Sequence, residues 1–289
     1  MKNLSDLATI KKLLTRHGFQ FSKALGQNFL IDPSVCPRMA QECGVNAQSG
    51  VLEIGPGFGV LTQELAARAK KVVAVELDHR LPAVLAETLE GFENVTVLNE
   101  DVLKLDLPAL IREQFPDMPV FVCANLPYYI TSPVIMKLLE ERLPVQSITV
   151  MVQKEAAVRI CAQPGKRQCG AVSVAVQYYA QPDLLFDVPR DSFYPAPNVD
   201  SAVIRLTVRD SPPIVLGNAR EGDFFRLIRA AFGQRRKTIL NALSGGLQME
   251  KANLTQCLEQ SKIPTNARAE QLTMEQFATL CRTLFQEEP

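Results

Sequence analysis

Apolar residues come in short runs separated by stretches of helical spacing, and the alternation is regular over the first half of the chain. Val51-Leu-Glu-Ile54, Val72-Val-Ala-Val75, Val95-Thr-Val-Leu98, Val120-Phe-Val-Cys-Ala124 and residues 147–152 read as five strands. Between them, residues 60–69, 79–89, 107–114 and 133–141 carry apolar positions three and four apart, the mark of amphipathic helices. Such alternation predicts βαβ units and an α/β fold: a mostly parallel sheet with helices on both faces. Ahead of it, Asp32-Pro33 predicts a helix start, Asp as cap and Pro as first helical residue, with Gly44 as the stop.

Past residue 152 the pattern changes. Residues 171–178 and 201–208 are β-rich and partly alternating, and Phe193-Tyr-Pro-Ala-Pro197 lies between them as a proline-stiffened loop. Ser211-Pro-Pro213 marks the best domain boundary. From Glu221 onward the spacing is helical: one helix over about 223–232, a second over 235–243, a break at Gly245-Gly246, then two more. The expected organisation is an α/β domain over residues 1–209 and a small all-helical domain over 210–289, which 289 residues accommodate.

Charge balances, 31 basic residues against 31 acidic, so affinity for nucleic acid depends on where the charges sit. Arg226, Arg229, Arg235, Arg236 and Lys237 form the densest positive stretch, and no acid lies between Phe224 and Asn241 to pair with them. That favours contact with phosphates over a merely solvated helix face. Near the start, Lys2, Lys11, Lys12 and Arg16 face a single acid, Asp6; this reads as a solvated helical face or as a basic arm that, with Lys23, extends the surface of the Arg226–Lys237 cluster. Seven cysteines without a Cys-x-x-Cys pair argue against a disulfide framework and a zinc site and suit a reducing cytosol. They read as buried small apolar residues, and no metal is expected. No apolar run approaches the roughly 18 residues of a membrane span, and the first thirty residues lack a signal-type apolar region. A cytoplasmic protein is expected.

Candidate chemistry gathers at the strand ends, where open α/β sheets bind ligands. Gly55-Pro-Gly57-Phe-Gly59 permits a tight turn in which the backbone approaches a ligand closely. Val60 breaks the Gly-x-Gly-x-x-Gly dinucleotide pattern, and no Lys-Ser/Thr pair follows, which counts against a dehydrogenase and a P-loop. Glu76, 21 residues beyond Gly55, ends the second strand, where it suits both hydroxyls of a ribose. Asp101 ends the third and suits an adenine amino group. Singly, Glu53 and Glu76 also read as ordinary strand-end carboxylates and Asp101 as a helix cap; together they predict an adenosine pocket with no demand for a pyrophosphate. S-adenosylmethionine is the natural candidate.

The fourth strand delivers Asn125-Leu126-Pro127-Tyr128. An exocyclic purine amino group is a poor nucleophile because its lone pair is delocalised into the ring, and attack requires the nitrogen to move towards tetrahedral geometry. Two acceptors favour that move: the Asn125 side-chain oxygen and a backbone carbonyl of Leu126 or Pro127, with Pro127 fixing its own φ. Tyr128 would stack on the base. Alone, the tetrad reads as a turn, and its neighbours at the other strand ends turn the reading to a site.

With these residues in place the chain resembles the class I methyltransferases, and specifically the small-subunit ribosomal RNA adenine N6,N6-dimethyltransferases. The resemblance rests on Leu25-Gly-Gln-Asn28-Phe-Leu30, Glu53-Ile-Gly-Pro-Gly57-Phe-Gly59, Glu76, Asp101, Asn125-Leu-Pro-Tyr128, Phe193-Tyr-Pro-Ala-Pro-Asn-Val-Asp-Ser201 and Phe232-Gly-Gln-Arg-Arg-Lys-Thr238, in family order. It implies a Rossmann-like fold and S-adenosylmethionine as cofactor, with two methyl transfers to one adenine N6 of small-subunit RNA. Asn28 and Leu30 would lie over the cofactor. Glu53, Gly55, Gly57, Gly59, Glu76, Leu77, Asp101, Val102 and Asn125 would line its site, Gly55 at the methionine part, Glu76 at the ribose and Asp101 at the adenine. Tyr128 and Phe193 would sandwich the flipped base. Asn198 departs from the basic residue expected in its stretch, which thins an RNA contact without touching the chemistry. The resemblance also implies a partly assembled small subunit as partner and a monomeric enzyme. Three rivals stand beside this reading: a large-subunit RNA adenine methyltransferase, a DNA adenine methyltransferase, for which two prolines after Asp or Asn would be expected, and a non-catalytic assembly or transcription factor on the same fold.

Overall fold

The computed structural model describes residues 4–19, 27–234 and 236–285. Their contacts divide the chain into two compact units: residues 1–157 with 182–208, and residues 158–181 with 209–289.

In the first unit, α1 (Leu7–Arg16) opens on Asp6, whose carboxylate accepts from the Thr9 N–H. It is followed by β1 (Phe29–Leu30), α2 (Val35–Cys43), β2 (Gly50–Ile54), α3 (Val60–Ala66), β3 (Lys71–Val75) and α4 (Leu81–Thr88). Then come β4 (Val95–Leu98), α5 (Leu107–Gln114), β5 (Val120–Asn125), α6 (Thr131–Glu140), β6 (Val145–Gln153) and α7 (Lys154–Ile160), the last ending beyond the unit's edge. α8 (Ala171–Tyr179) belongs to the second unit; β7 (Ala180–Val188), β8 (Phe193–Tyr194) and β9 (Ser201–Val208) follow it in the chain.

The seven-stranded sheet has the order β4-β3-β2-β5-β6-β9-β7. Its five leading strands are parallel, and β9 pairs with β6 antiparallel. The chain runs outward from β2 through β3 to β4, then returns to lay β5 on the other side of β2. The order therefore reverses between β2 and β5, and the crevice beyond their carboxyl ends is the topological switch point. Every residue of β2 is buried, and Val72 to Val75 of β3 are buried too, as expected for strands covered on both faces. The two-residue strands β1 and β8 pair antiparallel, Leu30 opposite Phe193.

Three sequence expectations change here. The helix foreseen from Asp32-Pro33 begins at Val35, because Asp32 instead accepts from the Ser34 N–H and hydroxyl in a local turn. β7 was not foreseen; it carries Pro182 and forms the edge of the sheet, the place where a missing N–H costs no ladder bond. Residues 171–178, expected as β-rich, are helical. In α8 the Gly170 N–H donates to Ser173 Oγ at 2.9 Å, and Ser173 to Tyr179 are all buried, so packing overrides the β-branched preference.

The second unit is helical: α8, α9 (Glu221–Phe232), α10 (Ile239–Leu247), α11 (Lys251–Gln260) and α12 (Met274–Leu284). Tyr178, Tyr179, Phe224 and Phe225 pack ring against ring, and both tyrosine hydroxyls donate to the Glu221 carboxylate at 3.0 and 2.8 Å. Gly245 and Gly246, expected to break a helix, lie inside α10. A Cβ at Gly246 would stand 2.6 Å from the Ala230 Cβ, so this glycine lets α10 approach α9 rather than stopping it. Among the described residues no helix is long and apolar enough to cross a membrane.

Candidate active site

One cleft opens at the switch point, lined by the ends of β2, β3 and β5, the turn after β4, and residues 27–30. Its floor is the glycine turn. Gly55 and Gly57 have φ of +70° and +58°, the left-handed region that a side chain disfavours. A Cβ on Gly55 would meet nothing nearer than 3.9 Å, so that face is open to the cleft; one on Gly57 would press within 3.1 Å of the Phe29 ring. Gly59 does not line the cleft. It starts α3, with Leu85 and Leu89 against it.

Glu76 is held from both ends. Its Oε2 accepts from the Gly57 N–H at 3.2 Å and its Oε1 from the Asp78 N–H at 2.8 Å. Burial pushes its carboxyl above the ordinary range, and the backbone donors oppose that shift. Glu53, fully buried on β2, is pushed up to about 8 by burial, with the Thr62 hydroxyl opposing and the Glu76 carboxylate adding to it. Glu53 Oε2 has no hydrogen-bond partner among the described residues, a buried acceptor facing a cleft. Asp101 Oδ1 accepts from the Leu103 N–H at 3.0 Å, so its carboxylate shapes the local turn while it lines the cleft. Leu77, 48% exposed, and the buried Val102 supply apolar walls.

On the other side of the switch point, Leu126 donates its N–H to the Met151 carbonyl at 3.1 Å and buries its side chain. The Pro127 carbonyl accepts from the Ile130 N–H and from the Thr131 hydroxyl. It is therefore committed, and the Leu126 carbonyl is the backbone acceptor left to work beside the Asn125 side chain. Among the described residues the Asn125 amide takes no hydrogen bond. Tyr128 is half-buried, its hydroxyl 2.8 Å from Ser201 Oγ, and burial pushes its phenol up. Phe193 also lines the cleft but is only 3% exposed, packed into the core with Leu30 and Val203. Asn28 and Leu30 close the remaining side.

Other residues of the expected site lie elsewhere. Arg226, Arg229, Arg236 and Lys237 are exposed on α9 and the turn after it, in the second unit. Lys23 and Arg235 fall outside the described residues. Helix α1 buries Ile10 and Leu13, while its Arg16 and the following His17 both pair with Glu87. Five of the seven cysteines are buried, none is in a disulfide, and among the described residues no cluster of His, Cys, Asp or Glu is placed to hold a metal.

Residues that sequence reasoning missed include Tyr129 and the trio Gln27, Asp78 and Arg80. Tyr129 follows the tetrad, lies 52% exposed at the mouth, and has its phenol pushed up by partial burial and the Asp101 and Glu76 carboxylates.

The profile of the ribosomal RNA adenine dimethylase family matches residues 18–286. The chain belongs to that family. It is 49% identical over 285 residues to ribosomal RNA small subunit methyltransferase A of Alkaliphilus oremlandii, spanning 98% of this chain and 99% of the relative. It is 47% identical to the protein of that name from Geobacillus thermodenitrificans, over 98% and 97% of the two. Among solved structures, a dimethyladenosine transferase from Plasmodium falciparum is 27% identical with TM-score 0.69, over 87% of this chain and 95% of that one. The 23S rRNA methyltransferase ErmE is 29% identical with TM-score 0.67, over 89% and 99%. This dimethylase is thus an enzyme with the class I rRNA methyltransferase fold.

Proposed function

We propose that the chain transfers methyl groups from S-adenosylmethionine to adenine N6 in small-subunit ribosomal RNA, giving N6,N6-dimethyladenosine. The observation that carries the chemistry is the end of β5: an uncommitted Asn125 amide and a Leu126 carbonyl beside an open glycine turn. The near full-length identity of 47–49% with small-subunit enzymes supports that substrate over large-subunit RNA, since ErmE is matched at 29%. A DNA substrate or a purely structural role loses ground to the same matches.

The cleft suits the cofactor. Glu76, anchored by two backbone N–H groups, has carboxylate lone pairs left for ribose hydroxyls, Leu77 and Val102 wall an adenine, and Gly55 leaves room for the methionine part. Glu53 offers its unpartnered oxygen to a donor the protein does not supply. Asp101, Asn28 and Leu30 complete the enclosure. When bound, S-adenosylmethionine supplies a methyl group on a sulfonium, an electrophile that needs no metal to react.

Asn125 Oδ1 and the Leu126 carbonyl accept the two N6 hydrogens and favour the pyramidal nitrogen whose lone pair attacks. With S-adenosylmethionine held by Glu76, Asp101 and the glycine turn, the N6 lone pair would take its methyl group, the electron pair of the carbon–sulfur bond remaining with sulfur. The N6 proton, acidic once the bond has formed, passes to solvent. Tyr128, fixed by Ser201, stacks on one face of the base, and Phe193 backs the pocket. Rate comes from alignment and placed acceptors. The exposed Arg226, Arg229, Arg236 and Lys237, with Arg235 and Lys23, hold RNA phosphates, and residues 210–289 serve as the RNA-recognition domain. The working form is a cytoplasmic monomer acting on a partly assembled subunit.

The test is transfer of radiolabelled methyl to undermethylated small subunits, large-subunit RNA and duplex DNA, each digested to nucleosides. Label is expected as dimethyladenosine from small subunits only. Label confined to either other substrate overturns the substrate reading, and no transfer despite cofactor binding favours an assembly factor.

A further inference from the structure

The loop after β3 holds a carboxylate that the chemistry above does not use. Asp78 is 4% exposed yet receives four donors: Oδ1 from the Arg80 N–H at 3.1 Å and Arg80 Nε at 2.8 Å, Oδ2 from Arg80 Nη2 at 2.6 Å and Gln27 Nε2 at 2.7 Å. Its own N–H donates to Glu76 Oε1 at 2.8 Å, and its carbonyl accepts from the Leu81 N–H at the start of α4. The Arg80 hydrogen bonds hold its carboxyl down to about 2, so it is ionised throughout the working range.

Gln27, 51 residues away in sequence, is the first residue of the stretch that carries Asn28 and Leu30 along the cleft. The Arg80 guanidinium lies over the Phe19 ring at 4.5 Å. Phe19 in turn meets Phe29 and Phe58 edge to face, and Phe29 stacks on Phe58, centroids 4.0 Å apart and planes 3° from parallel. Phe58 belongs to the glycine turn. Beside the pairing of β1 with β8, residues 27–30 are thus fastened by an aromatic stack onto the turn and by the Gln27 bond to the loop that carries Glu76.

From this geometry we infer that Asp78, with Arg80 and Gln27, is a positioning device: it clasps residues 27–30 over the cofactor and orients Glu76 at the same time. The two jobs meet in one residue, whose carboxylate takes Gln27 and whose backbone N–H holds Glu76, so closure of the segment and readiness of the ribose acceptor are coupled. Removing the clasp weakens cofactor binding and leaves the transfer step, which Asn125 and Leu126 govern, comparatively untouched. The inference rests on the cofactor placement proposed above, though not on which RNA is methylated.

The experiment compares wild-type protein with Gln27→Ala, which keeps the Asp78–Arg80 pair, and with Asp78→Asn. Calorimetry with S-adenosylmethionine gives Kd, single-turnover transfer at saturating cofactor gives the chemical step, and amide hydrogen exchange of residues 29–31 without cofactor reports segment closure. The expected result for Gln27→Ala is a Kd about tenfold weaker, faster exchange at 29–31, and a transfer rate at saturation reduced by much less than the affinity. Asp78→Asn, where it folds, should show a larger loss of affinity. Unaltered Kd and exchange in Gln27→Ala overturn the inference, as does a transfer rate that falls as far as the affinity. Failure of the wild-type protein to bind the cofactor would overturn the cofactor placement instead.

Discussion

The cleft of the sheet unit and the basic face of the helical unit use polar groups in opposite ways. In the cleft Glu53 and Glu76, and beside it Asp78, are buried, and the last two are gripped by backbone or side-chain donors. On α9 and the turn beyond it, Arg226, Arg229, Arg236 and Lys237 stand exposed. Buried groups act through fixed geometry in a low dielectric, so losing one is felt strongly and salt screens it little. Exposed cations act by number and are screened readily. A chain that does chemistry on a polyanion needs both, and it divides them between a rigid strand-end crevice and a helical surface.

The contrast is tested first where the largest effect is expected. Glu76→Gln keeps the shape but removes the charge that strengthens hydrogen bonds to a ribose, worth about 1.5–3 kcal/mol for a charged acceptor. Cofactor Kd measured by calorimetry should weaken roughly tenfold to a hundredfold, with little dependence on salt. Next, Arg229→Ala, Arg236→Ala and Lys237→Ala combined should weaken RNA binding and make the log–log salt slope shallower by roughly 2 to 3. Cofactor affinity should not move; if it does, the basic face belongs to the cleft and the contrast fails. Gly246→Ala should destabilise the helical unit by about 1–3 kcal/mol through overpacking against Ala230, read as a lower denaturant midpoint of that unit.

The last test concerns Glu53. Its folded pKa, about 8, lies above the 4.5 of a free glutamate, so the folded state holds the proton more tightly. The stability this carboxyl contributes is fully present below about 4.5 and is lost as pH rises through about 8. Glu53→Gln, which cannot ionise, should show a flatter decline in denaturant midpoint over that window. An unchanged decline would show that other groups set it.

The same contrast explains what is legible in the amino-acid sequence. The glycine turn, Glu76, Asp101 and the Asn125 tetrad are legible because each sits where a period of 2 gives way to helical spacing, and the parallel order puts those junctions at one edge. The choice between the Leu126 and Pro127 carbonyls was not legible, since it depends on Ile130 and Thr131 occupying one of them. Nor was the clasp: Gln27 and Asp78 meet only through the fold, and the Glu-x-Asp spacing at 76–78 was the one available hint. Residues 171–178 misled because valines at alternate positions fit a strand, whereas the aromatic cluster with Phe224 and Phe225 holds them as a helix. Gly246 misled for a related reason, a close helix contact having the same sequence signature as a break.

The measurement that tests the central claim most directly is single-turnover methyl transfer by Asn125→Ala, with RNA binding followed alongside. The variant should fold and bind RNA, while transfer to adenine N6 falls by about 10²- to 10³-fold, the scale for losing one placed transition-state partner. Transfer near the wild-type rate would contradict the role given to the end of β5.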